Sequence, residues 1–148
     1  MRRLIVAAVV AAGLVVAGAG TSVAAGSTAT VKTRHGQLGT FLVGPNGRTL
    51  YLFEKDKTKK STCSGACAKA WPPLLTTGKP KASGSAKASL LGTTKRSDGT
   101  TQVTYKGHPL YYFIQDTKAG QTKGQGIDGF GAEWYVLSPS GKKIEGKD

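Results

Sequence analysis

The sequence predicts a mainly β fold: a single pseudo-symmetric domain of two duplicated antiparallel hairpin units, with one short helix after the first. Three observations carry this expectation. First, "GTFLVGPNGRTLYLFEKD" from Gly39 and "GTTQVTYKGHPLYYFIQD" from Gly99 align without gaps. Gly39, Thr40, Val43, Gly47, Leu50, Tyr51, Phe53 and Asp56 match Gly99, Thr100, Val103, Gly107, Leu110, Tyr111, Phe113 and Asp116. Self-similarity at a fixed offset marks a duplication, and two copies fit a pseudo-symmetric domain better than a solenoid. Second, each copy places turn residues between apolar runs, "GPNG" in one and Lys106-Gly107 in the other. Third, alternate residues of "LYLF" and "LYYFI" are apolar on both faces. Tyr51 and Phe53 share one face against Leu50 and Leu52, and Tyr111 and Phe113 share one against Leu110, Tyr112 and Ile114. Strands of this kind are covered on two sides and lie centrally in a fold.

Read in chain order, Met1-Arg2-Arg3 precedes 16 uncharged residues, Leu4 to Ala19, and then Val23-Ala24-Ala25. A basic start, an apolar run and small residues at a cleavage position are the pattern of a secretory signal peptide over residues 1–25. The run falls short of the ~20 residues of a spanning helix. With no second such run, no membrane span is expected after cleavage. The remaining 123 residues suffice for one domain core and not two. Residues 26–36 read as a flexible polar tail and 37–148 as a single β-rich domain. That domain divides into repeat one (39–75), a flexible connector rich in Gly, Ser, Pro and Lys (76–89), and repeat two (90–144). The first hairpin pairs Phe41–Val43 with Arg48–Phe53, and the second pairs Thr101–Tyr105 with His108–Ile114. Further strands are expected at Leu90–Lys95, before the Ser97-Asp98-Gly99 turn, at Trp134–Leu137, and around Lys143-Ile144. The glycine-rich stretch Asp116–Glu133 lacks the strand-to-helix setting of a nucleotide-binding loop.

Both "YLFEKD" and "YYFIQD" fit the pattern Yx(FWY)xxD. With "STCSGACAKAWPPL" and "GQGIDGFGAEWYVLSPSGK" they resemble the bacterial secreted-repeat lipoprotein family that carries this motif. The resemblance spans about Gly39 to Gly141 and implies an exported protein built from the repeat, with no activity to carry over. This chain has no cysteine near the cleavage position for a lipid anchor, so a freely secreted member is expected. Within the motif, Tyr51 with Phe53 and Tyr111 with Phe113 share sheet faces where paired aromatics add packing. Asp56 and Asp116 fall just past their strands, where a carboxylate accepts backbone N–H groups and closes a turn. The competing reading, convergence of the two aspartates on a cation, lacks the further oxygen ligands that calcium wants.

The chain's two cysteines stand in "STCSGACAKAWPP". Ser61 to Trp71 reads as a short helix capped by Ser64 and ended by Pro72-Pro73. Cys63 and Cys67 are about one helical turn apart, and an exported protein meets oxidising conditions, so a structural disulfide is expected. Trp71 and Trp134 are expected in the core. Two sharper readings compete with the disulfide. A thioredoxin-like redox site would have two residues between its thiols and a βαβ setting. A Cu(I) site would use Cys63, Cys67 and, as the credible third ligand, His108, since His35 lies in the tail.

Composition narrows the function. The net charge is +13, and +11 once Arg2 and Arg3 leave with the signal. Such a balance favours anionic partners such as cell-wall polymers. The lysines are scattered, whereas a dedicated nucleic-acid surface concentrates its charge, so no specific nucleic acid is expected. With two histidines and cysteines expected to be oxidised, the usual acid–base and nucleophilic constellations are not assembled, and no catalytic residues are assigned. The sequence therefore points to a secreted, non-enzymatic binding or structural protein of the bacterial cell envelope or exterior, needing no cofactor. The alternative is a copper-binding or electron-transfer accessory built on the C-x3-C pair.

Overall fold

The turn residues bend the chain, yet in the first copy the main ladder lies one strand earlier than the hairpin expected from sequence. The structure, a computed structural model, describes residues 27–146; the signal peptide expected over 1–25 lies outside the described residues. In the first copy, Asn46 Oδ1 accepts the Arg48 N–H at 3.0 Å, and Gly44 and Arg48 close the turn through a 2.9 Å backbone bond. The strand before this turn, β2 (Gly39–Val43), nevertheless forms its ladder with β1 (Thr30–Gly36), antiparallel from Lys32↔Val43 to Gly36↔Gly39. Its link to β3 (Tyr51–Phe53) is reduced to a bridge at Val43↔Thr49 and one Leu50-to-Leu42 bond.

The segment read as a flexible tail is thus corrected to a strand. Its sequence misleads because Val31 alone anchors the apolar face, fully buried, while exposure rises along Arg34–Gly36. The connector is corrected likewise: Lys81–Ala82 form β4, which runs parallel to Thr30–Val31, and Ala88–Leu90 make a turn of 3-10 helix. Backbone bonds from Lys81 to Ala29 and from Ser83 to Val31 hold it there.

The second copy repeats the plan. Strand β5 (Leu91–Lys95) pairs with β6 (Thr101–Tyr105) across the Ser97-Asp98-Gly99 turn, as β1 pairs with β2. Strand β7 is confined to His108–Pro109: the Leu110 N–H still reaches the Val103 carbonyl at 3.0 Å, but the Val103 N–H turns to Leu74 at 2.9 Å instead of returning the bond. The chain beyond it, expected as strand to Ile114, continues as a bridge at Tyr111. Strand β8 (Asp128–Gly129) and β9 (Ala132–Val136) follow, and the expected last strand is a bridge from Lys143 to Leu137.

Three sheets result, in the orders β2-β1-β4, β3-β9-β8 and β5-β6-β7. A single α-helix, α1 (Ala66–Ala70), stands among the described residues. It is shorter than the expected Ser61–Trp71, and Ser64 does not cap it. Gly65 takes that place at φ 59°, a backbone conformation that favours glycine, and no side chain caps the helix.

The two faces of the motif strands serve two cores. Tyr51, Phe53, Tyr111 and Phe113 enter one, with both tryptophans and both cysteines. Leu50, Leu52 and Leu110 enter the other, with Val31, Val103 and Tyr105. The motif strands lie between these cores, where the aromatic machinery is assembled.

Candidate functional site

The two copies meet at their motif tyrosines. Tyr51 donates its backbone N–H to the Tyr111 carbonyl at 2.8 Å, and Tyr111 returns the bond at 3.0 Å. This reciprocal pair marks a pseudo-twofold axis. Around it the copies exchange partners: β3 pairs with β9 of the second copy, from Tyr51↔Val136 to Phe53↔Trp134. The end of α1 and the residues after it bond in turn to the second motif segment, Tyr112 to Pro72 at 2.7 Å and Ile114 to Ala70 at 2.9 Å. The sheet β3-β9-β8 therefore joins strands of both copies.

The side chains cross over in the same way. Tyr51 donates its hydroxyl proton to Asp116 Oδ2 at 2.6 Å, and Tyr111 donates to Asp56 Oδ2 at 2.6 Å. Each aspartate is brought back to the axis by a turn in which its own N–H bonds the motif phenylalanine carbonyl at 3.0 Å. The second carboxylate oxygen holds the following loop. Asp56 Oδ1 accepts the Thr62 N–H at 2.7 Å and its hydroxyl at 2.6 Å, while Asp116 Oδ1 accepts the Lys123 N–H at 2.8 Å. Hydrogen bonds to a carboxylate contribute about 1.5–3 kcal/mol, so the crossed pairs fasten one copy to the other. Burial, and then the facing carboxylates, push both phenols far above their ordinary value and keep them protonated donors. Burial also raises the Asp116 carboxyl, against the Tyr51 and Lys123 donors that favour its charged form.

Four rings form one pile through the axis. Trp71 and Trp134 stack face to face, 3.9 Å between centroids and 3° from parallel. Phe53 of the first copy lies on Trp134 at 3.9 Å, and Phe113 of the second lies on Trp71 at 4.1 Å. The tyrosines meet the pile edge-on, Tyr51 against Trp71 at 5.4 Å and Tyr111 against Trp134 at 5.2 Å. Aromatic pairs add about 0.5–1.5 kcal/mol each beyond burial.

Cys63 and Cys67 form the expected disulfide, Cα atoms 5.2 Å apart, and no free cysteine remains among the described residues. The bridge packs in the aromatic core, and the Trp71 N–H donates to the Cys67 carbonyl at 2.8 Å. The second copy has a glycine here instead. Gly124 donates its N–H to the Tyr51 hydroxyl at 3.0 Å and lies so close that a Cβ on it would stand 2.8 Å from the Trp71 ring.

The histidines lie apart from the thiol bridge. His35 is exposed on β1, its Nδ1 3.1 Å from Thr40 Oγ1. His108 borders a separate cleft with Glu54, Lys106 and Lys143, where burial lowers its pKa. Among the described residues no three His, Cys, Asp or Glu side chains form a metal-ligating group.

Three residues of the site escaped sequence reasoning. Arg96 donates from Nη1 to Ser61 Oγ at 3.1 Å and Gln102 Oε1 at 2.8 Å, and from Nη2 to the Cys63 carbonyl at 2.8 Å. Ser61 Oγ is 2.7 Å from the Tyr111 hydroxyl, so Arg96 caps the Tyr111–Asp56 pair from outside. A signal existed for Gln102 alone, a polar residue in a strand otherwise buried; it is fully buried, its Nε2 bonded to the Leu110 carbonyl at 2.8 Å.

Comparison with known proteins agrees with the duplication. The family model described as a secreted repeat of unknown function matches the chain twice, over residues 32–75 and 92–138. No curated protein and no solved structure matches it.

Proposed function

The chain belongs to that family of secreted repeats of unknown function, and from this membership we propose that it acts outside the cell as a non-enzymatic binding or structural module of the bacterial envelope, directed at anionic polymer. One observation carries the reading: the groups that chemistry would use are engaged within the fold. Both motif aspartates are bonded to tyrosines of the opposite copy, and the two thiols are bonded to each other. What faces solvent is a basic surface with a net charge of +11 after loss of the leader. No helix among the described residues is long and apolar enough to cross a membrane.

The test is retention of the exported protein on immobilised wall polymer or heparin. Retention should weaken steeply with salt, as screening of exposed charge requires; absent or salt-insensitive retention would count against the proposal. The copper or electron-transfer reading asks for reduced thiols. Alkylation with mass spectrometry should find none in exported protein, and no copper should bind before or after reduction. Two free thiols, or copper bound after reduction, would favour that reading instead.

A further inference from the structure

The two copies differ most where the Tyr111–Asp56 pair approaches the surface. Beside Tyr51 the counterpart is closed: the Gly124 N–H occupies the phenol, and Gln121 folds back to accept the Thr117 and Lys118 N–H groups at 2.7 and 3.1 Å. Beside Tyr111 the network instead opens outward through Ser61 to Arg96, at the wall of a cleft of about 360 Å³. Three cations border this cleft, Lys60, Lys95 and Arg96, together with the hydroxyls of Ser61, Ser64 and Ser97. No carboxylate lines it among the described residues. The nearby acids are occupied: Asp56 by Tyr111 and Thr62, and Asp98 by the Thr100 N–H and hydroxyl.

Arg96 is held rather than free. Both Nη1 hydrogens and one Nη2 hydrogen are taken by Ser61, Gln102 and Cys63. The Nε–H has no protein partner among the described residues and Nη2 has one, so each nitrogen keeps an N–H with which the guanidinium can grip an oxyanion as a fork. Because three bonds already fix the guanidinium, little side-chain entropy remains to be lost on binding. By ladder register the position matching Arg96 in the first copy is His35, which stands opposite Thr40 as Arg96 stands opposite Thr100, so this fork exists in one half only.

We infer that the cleft between residues 60–64 and 95–97 binds a phosphate group, gripped by the Arg96 fork and neutralised by Lys60 and Lys95. A tetrahedral oxyanion offers acceptors in several directions, which a fork, two ammonium groups and hydroxyls satisfy together. The inference rests on the anionic-polymer reading and gives it an address, the source of the phosphate being a poly(glycerol phosphate) chain or the free ion.

The experiment titrates 15N-labelled exported protein with inorganic phosphate and with poly(glycerol phosphate), following amide shifts. Shifts centred on Ser61–Ser64 and Lys95–Ser97 are expected, with the polymer tighter per phosphate. The pair Lys60→Gln/Lys95→Gln should weaken binding about tenfold more than the charge-matched pair Lys79→Gln/Lys118→Gln. Arg96→Lys keeps the charge and removes the fork, and should abolish the cleft shifts; a melting curve checks that the Cys63 contact has not cost the fold. Equal losses for the two lysine pairs would overturn the cleft and leave the polymer reading intact. Cleft shifts with free phosphate and no response to polymer would keep the site and overturn the polymer. Scattered shifts with either ligand would overturn the inference.

Discussion

Asp56 and Asp116 begin two loops of similar purpose and different build. After Asp56 the chain is caught by the Thr62 N–H and hydroxyl, then stapled by the Cys63–Cys67 bridge and turned through α1 into Trp71. After Asp116 the carboxylate catches only the Lys123 N–H, Arg48 holds the Asp116 and Thr117 carbonyls, and the later residues close down on the rings without a covalent link. What the copies share faces the pseudo-twofold axis: crossed tyrosine–aspartate pairs, exchanged strands and the ring pile. What they do not share lies in the loops after the aspartates, where the disulfide and Gly124 are buried against the rings and Ser61 with Arg96 reaches a surface cleft. The shared part is therefore a coupling between copies, and any function particular to this chain belongs to the loops.

The comparison breaks most visibly if the pile is asymmetric in energy. Trp71→Ala and Trp134→Ala should each destabilise the protein by about 3–5 kcal/mol, to similar extents, in urea unfolding. Because the two rings stack on each other, the double variant should lose less than the sum of the singles. A tolerated substitution at either position would show that one copy carries the core by itself.

Next in size is the contrast between Gly124 and Ser64, which occupy matching places after the two motif aspartates. A methyl group on Gly124 would press on Trp71 at 2.8 Å and on the Tyr51 ring at 3.0 Å. Gly124→Ala should therefore cost about 1–3 kcal/mol from overpacking. Ser64 is exposed beside a disulfide that already fixes its loop, and Ser64→Ala should change stability by less than about 0.5 kcal/mol. Equal melting points for the two variants would remove the proposed division of labour between staple and glycine.

How much of this was legible in the sequence follows from the range over which each feature acts. The duplication, the turns and the two-faced motif strands are local patterns, and each could be read directly. The exchange of partners could not, because Tyr51 alternates with Leu50 and Leu52 in the same way whichever aspartate receives its proton. Strand β1 was hidden for a different reason: Thr30–Gly36 offers one apolar anchor, and its remaining support comes from a backbone ladder that leaves no compositional trace. The stretch His108–Ile114 shows the opposite error, where a run of apolar residues suggested one long strand and the backbone instead divides its bonds among Val103, Leu74, Tyr51 and Pro72. Arg96 looked like one scattered cation among many, since the groups that fix it, Ser61, Cys63 and Gln102, are far apart in the chain except for the last.

The smallest effect concerns the charge on Asp116. Burial raises its pKa from the ordinary 3.8, so the folded protein holds this proton to a higher pH than the unfolded chain does. Between the two values the native state binds more protons, and stability must fall as pH rises through that window, then level off above it. Asp116→Asn removes the titration and leaves one oxygen to serve the Tyr51 hydroxyl and the Lys123 N–H. Wild-type stability minus that of the variant, from urea midpoints at closely spaced pH values, should therefore decline from about pH 4 upward before becoming flat. A difference that climbs over the same interval would mean that the two donors outweigh burial. In that case the Tyr51–Asp116 pair would be held together by the carboxylate charge rather than in spite of it.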